Sequence, residues 1–186
     1  MGGLNLVGVH FRDLISSPYH SNGFIDNKTI HGGLVQYFNE CYASFDALDR
    51  EINLRMLVSS LQGMYEGKYL EHKIAGLLIA YEYFLTKYLV KLGHRIEEVK
   101  NLSIQDKLSR LNSHMRFIPS RLLGDTLRQD VRNALFHTGE IPLIPFEQKL
   151  EIYNEYFDLL IQIILRSLGY TGKYISPANY KVKDLL

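Results

Sequence analysis

A chain of 186 residues, 46% of them hydrophobic and 22% charged, has room for one domain with a sizeable core and the balance of an ordinary soluble protein; two full domains would be tight. A formal net charge of +1 sets up no global field, so any nucleic-acid site must be local. The single cysteine, Cys41, excludes an intrachain disulfide and a cysteine-rich zinc site, and fits a reducing, cytoplasmic setting.

Residues 1–32 are rich in Gly, Ser, Asn and His. They read as an extended arm or as the trailing edge of a preceding segment. No basic region followed by an apolar run marks a signal peptide. Leu6 stands where an N-terminal lipidation signal needs Ser or Thr. From residue 33 the period becomes helical, with Leu34, Phe38, Cys41, Tyr42, Phe45 and Leu48 at three- and four-residue spacings. A second run covers about 50–66, through Ile52, Leu54, Met56, Leu57, Leu61 and Met64. The next, about 69–92, is apolar nearly all round: Ile74, Leu77, Leu78, Tyr81, Phe84, Leu85, Tyr88 and Leu89. Such a helix belongs in the middle of a bundle. Glu82, Lys87 and Lys91 interrupt its apolar stretch, which predicts burial in protein rather than a membrane span. Gly93 ends it.

A shorter helix is predicted over Ser103–His114, with Ser103 as N-cap. Another covers about 121–137, after Pro119 and Ser120 and before a stop at Gly139. The last, about 146–168, carries Leu150, Tyr153, Phe157, Leu160, Ile161, Ile164 and Leu168, and Gly169 terminates it. The tail 169–186 ends loosely, packed through Tyr170, Tyr174 and Tyr180. The expectation is an all-α bundle of five or six helices over 33–168, with no clear strand pair and no internal repeat.

The 121–137 helix carries the chemistry. On a wheel with Leu127 at zero, Leu123, Leu127, Val131, Ala134 and Leu135 fall within about 80° of one direction, the core face. Arg132 lands near ~140°, Phe136 near ~180°, Asn133 near ~240° and His137 near ~280° on that wheel. Asn133 and His137 are one turn apart. An outward Phe136 between a cation and an imidazole suggests a covered face, and a second copy of the helix is the simplest cover.

Arg132-Asn133-Ala134-Leu135-Phe136-His137, followed by Gly139, resembles the Arg-x4–6-His signature of HEPN domains. An apolar mid-chain helix, a connection, the motif helix and a long final helix are similar to the HEPN layout over about 33–168. Within that family the ApeA-like antiphage domains are most similar. The resemblance implies a metal-independent endoribonuclease, of toxin or antiphage type, in which two motifs meet across a homodimer. On that basis Arg132 and His137 are the catalytic residues and Asn133 supports them, with RNA as substrate and no cofactor. RNA brings its own nucleophile, the 2′-hydroxyl, whose proton an imidazole can move near neutral pH. A guanidinium stabilises charge on the phosphate. Cleavage leaves a 2′,3′-cyclic phosphate, and DNA is a poor substrate. A regulatory domain or an antitoxin is an expected partner. Gly139 replaces a Tyr that some HEPN toxins carry for modification, which puts that mode of control in doubt.

Two other readings of the motif stand beside this one. Arg132 would pair with Asp125 or Asp130 while His137 merely stabilises the helix end, or the bundle would be a non-catalytic dimerisation, nucleotide- or partner-binding module. Glu82 needs a partner in so apolar a helix: Arg132 or another motif residue, a structural hydrogen bond, or a water-filled groove. Arg128, one turn before Arg132, is a supporting candidate within a basic stretch, Arg95 to Arg132, of eight cations and five acids that could follow an RNA backbone or be an ordinary solvated face. His72, His94 and His114 are scattered, no His-Glu-x-x-His occurs, and no metal site is expected.

Overall fold

A computed structural model of the protein describes residues 25, 32–66, 68–123, 129–139, 141 and 144–185. The arm before residue 32 therefore lies, but for Ile25, outside the described residues. The chain is all-α: α1 (Gly33–Ile52), α2 (Leu54–Glu66), α3 (Leu70–Lys91), the single turn α4 (Ile96–Val99), α5 (Ile104–Met115), the single turn α6 (Ser120–Leu123), α7 (Gln129–Thr138) and α8 (Phe146–Ser167). One small antiparallel ladder follows, β1 (Lys173–Ile175) with β2 (Val182–Asp184). The helix predicted over 121–137 corresponds to α6 and α7, and 124–128 lie outside the described residues. Among the described residues no helix is long and apolar enough to cross a membrane. Two compact units make up the chain, 1–63 with 157–186, and 64–156.

In the first unit, α1 buries Tyr37, Cys41, Phe45, Leu48 and Ile52, a stripe at helical spacing. Phe38 and Tyr42 share the period but are exposed, so the buried seam sits one residue away from them. Asn53, with φ 53°, closes α1. Arg55 then returns to Asp49 at 3.1 Å and lies over the Phe45 ring.

The tail is more ordered than its composition predicts. Lys173 pairs with Asp184, Tyr174 with Lys183 and Ile175 with Val182. Tyr170 packs edge-on against Tyr37 at 5.6 Å, and the Thr171 N–H donates to Glu40 at 2.8 Å. Buried Asp158 accepts from the Tyr174 hydroxyl at 3.2 Å and from Lys183 Nζ at 2.9 Å. Tyr170 and Tyr174 are thus buried as expected, whereas Tyr180 is exposed. Three-residue strands are too short to show an alternating pattern in sequence.

Ionisable groups crowd this unit. Burial, with some help from Glu40, pushes the Cys41 thiol up to about 12 from an ordinary 9.0. Burial first, then Glu40 and Cys41, pushes the Tyr170 phenol to about 12. Burial raises Tyr37, and burial followed by Asp158 raises Tyr174, both well above the ordinary 10.0. Groups whose protons are held more tightly in the folded state stabilise it below their unfolded values and lose that contribution as pH rises past them. The urea midpoint is therefore expected to hold to about pH 9 and then to fall steadily between about pH 9 and about pH 11. A flat midpoint across that range would show that these groups are not buried as described.

The second unit is organised by α3. Its buried residues include Ile74, Leu77, Leu78, Tyr81, Phe84, Leu85, Tyr88 and Leu89, all those expected from its all-round apolarity. Within this unit α4, α5 and α7 pack on α3, and α6 packs on α5. The Tyr81 hydroxyl donates to the Tyr156 carbonyl at 2.6 Å, and the Tyr156 hydroxyl donates to Leu122 O at 3.4 Å. Ser103 caps α5, accepting from the Asp106 N–H at 3.1 Å and donating to the Asp106 carboxylate at 2.6 Å, an exchange that satisfies an orphan donor of the first turn.

Candidate functional site

The candidate site is the C-terminal end of α7. Val131 and Leu135, one turn apart, are buried, and this pair anchors the helix. Beyond them the helix stops as the sequence predicts. The Thr138 hydroxyl donates to Ala134 O at 2.7 Å. Gly139, with φ 77°, donates its N–H to Leu135 O at 3.0 Å. That left-handed closure is cheap only for a residue without Cβ. His137 is exposed on this last turn.

Arg132, Asn133 and Phe136 lie on the same helix, Gln129–Thr138, so Asn133 and His137 are one turn apart. The side chains of Arg132, Asn133 and Phe136 lie outside the described residues, and so does the whole of Arg128. The covered face expected from Phe136 falls there as well.

A cavity of about 470 Å³ adjoins this end of α7, lined by Tyr69, Glu71, His72, Gly139, Ile141 and Lys149. Lys149 Nζ donates to Glu71 at 3.0 Å. That hydrogen bond is the main reason the Glu71 carboxyl sits below its ordinary value. Tyr69 is 65% exposed and meets the His72 ring edge-on at 5.5 Å. Sequence reasoning missed this lining. Glu71 and Lys149 are 78 positions apart, and no local spacing connects them.

Glu82 has a defined partner. The Lys107 ammonium, fully buried, donates to Glu82 Oε1, while Glu82 stays 37% exposed. The same carboxylate lines a second cavity of about 390 Å³ with Ile79, Tyr83, Lys87 and Lys100. Lys107 must consequently be removed from the basic stretch that could follow an RNA backbone. Arg95 and Arg110 in that stretch face Glu98, at 3.9 and 4.0 Å.

Among the described residues no three His, Cys, Asp or Glu side chains gather at one point. Two histidines that look scattered in sequence nevertheless meet: His94 Nε2 and His114 Nε2 are 3.1 Å apart. No family model matches the chain, and neither a search of curated proteins nor one of solved structures finds a match.

Proposed function

We propose that the protein is a HEPN-type endoribonuclease that cuts RNA without a metal ion, acting as a homodimeric effector of toxin or antiphage type. The observation that carries this reading is the Arg132–His137 segment on one helix of an all-α chain, ending in an exposed His137 and a glycine stop. In this reading His137 takes the proton of the RNA 2′-hydroxyl. The oxygen attacks the adjacent phosphorus, the bond to the 5′-oxygen breaks, and the departing oxygen takes up a proton. The products are a 2′,3′-cyclic phosphate and a 5′-hydroxyl. Arg132 stabilises the charge that builds on the phosphate oxygens, and Asn133 orients the imidazole. The Tyr69 ring at the adjoining cavity gives an unpaired base a surface to stack on.

The test is an RNA cleavage assay in excess EDTA, on structured and unstructured substrates, with wild type and Arg132→Ala. Wild type is expected to cut RNA and not DNA, leaving cyclic phosphate ends, and Arg132→Ala to be silent. Equal cutting by both proteins would end the proposal. Wild type that binds RNA without cutting any of several substrates would instead identify a binding module.

A further inference from the structure

Two helices of the second unit finish at the same place. At the end of α3, Gly93 (φ 96°) donates its N–H to Val90 O at 2.9 Å, and His94 donates its N–H to Leu89 O at 3.1 Å. This pair of bonds is a closed helix terminus that fixes the backbone of His94. His114 lies in the last turn of α5. There Arg116, in the left-handed conformation, donates its N–H to Asn112 O at 2.8 Å. α3 and α5 pack on each other, so both imidazoles are carried on pinned backbone. Their Nε2 atoms stand 3.1 Å apart, with ring planes at 90° and centroids 5.4 Å apart. His114 is exposed and His94 partly so.

We propose that His94 and His114 form a two-imidazole site for a divalent transition-metal ion, with water completing its coordination. An imidazole nitrogen binds zinc at about 2.0–2.1 Å, so two nitrogens sharing one ion lie about 2.9 Å apart at a right angle and about 3.3 Å apart at the tetrahedral angle. The observed 3.1 Å falls between these values. The ends of α3 and α5 turn the negative ends of their helix dipoles toward this region, which favours a cation. Arg95 and Arg110, which flank the pair along the chain, are directed to Glu98 at 3.9 and 4.0 Å, which offsets their repulsion. Neutral imidazoles select nickel, copper and zinc over magnesium and calcium. A bound ion would tie the end of α3 to the end of α5, outside the nuclease chemistry proposed above. The same 3.1 Å also suits a hydrogen bond between neutral tautomers, and experiment separates the two.

The full chain, stripped with EDTA and dialysed, is titrated with Ni²⁺, Zn²⁺ and Mg²⁺ by calorimetry, and its thermal melting is followed with each ion. Wild type is expected to bind Ni²⁺ and Zn²⁺ in the micromolar range and to melt at a higher temperature with Zn²⁺, with no response to Mg²⁺. His94→Ala and His114→Ala should each weaken that site by roughly tenfold or more and lose the shift in melting temperature. His72→Ala, which changes an exposed histidine outside the pair, should keep both. Wild type that binds neither Ni²⁺ nor Zn²⁺ overturns the proposal and leaves the pair as a hydrogen bond. Undiminished binding in both variants overturns it equally. Neither result bears on RNA cleavage, which is assayed in EDTA.

Discussion

Replacing His137 by alanine is expected to lower the rate of RNA cleavage by about two to four orders of magnitude while the protein stays folded. The size of the loss follows from the role. The 2′-hydroxyl is a weak nucleophile until its proton is taken, and a positioned base is worth that much. The tolerance of the fold follows from the structure. His137 is exposed on the last turn of α7, and the buried anchors of that helix are Val131 and Leu135. Loss of an imidazole from a helix C-terminus costs about 1 kcal/mol at most in an exposed setting, too little to unfold a domain. His114→Ala is the matched control. It removes an exposed imidazole from the last turn of α5, outside the lining of the cavity that adjoins α7, and it should leave most of the cutting rate intact. Cleavage by His137→Ala at the wild-type rate would remove the nuclease reading, whatever the two histidines at the ends of α3 and α5 do with metal ions.

The largest stability effect is expected at Glu82. Lys107 is fully buried and its ammonium is bonded to that carboxylate. Glu82→Ala leaves a buried cation without its acceptor, a loss of about 3 kcal/mol. This is the low end for such pairs, because the 37% exposure of Glu82 gives water a route to the stranded group. Lys107→Met behaves differently. It replaces the cation with an apolar chain of similar length and lets Glu82 face the solvent-open cavity that it already lines, so the cost is about 1 kcal/mol or less. Urea unfolding of the two variants measures both numbers, and their order is the sharper test. A Lys107→Met variant less stable than Glu82→Ala would mean that the stem of Lys107, rather than its charge, is what α3 and α5 depend on.

Much of the architecture was legible because it is written in local periods and punctuation. The all-round apolarity of 74–89 announced the central helix, Ser103 announced a cap, and Gly93, Gly139 and Gly169 announced three helix ends, each with positive φ. These signals act within one or two turns of the residue that carries them. Pairings across the chain were not legible. Glu82 needed a partner, but nothing near it in sequence names Lys107, 25 residues on. His94 and His114 carry no ligand spacing, since each arrives from the end of a different helix. The tail failed for another reason: Lys173–Ile175 and Val182–Asp184 form a ladder because Tyr170, Tyr174 and Ile175 find burial sites, a tertiary cause with no local trace. At the candidate site the motif was readable as a string, while the Tyr69, Glu71 and Lys149 lining comes from segments that only folding brings together.

The contact between Glu40 and Thr171 spans 131 positions, and the one between Tyr37 and Tyr170 spans slightly more. The unit they belong to is built from the two ends of the chain, whereas the unit that carries α3, α5 and α7 is one continuous stretch, 64–156. Synthesis on the ribosome runs from one end to the other, so the two units differ in when their contacts become available. The continuous stretch can gather around α3 as it emerges. Tyr37 of α1 must wait for its ring partner until Tyr170 is made. During that interval the unpartnered Tyr37 ring is a site for chaperone binding or aggregation, and any truncation that removes residues 170–185 prolongs it indefinitely.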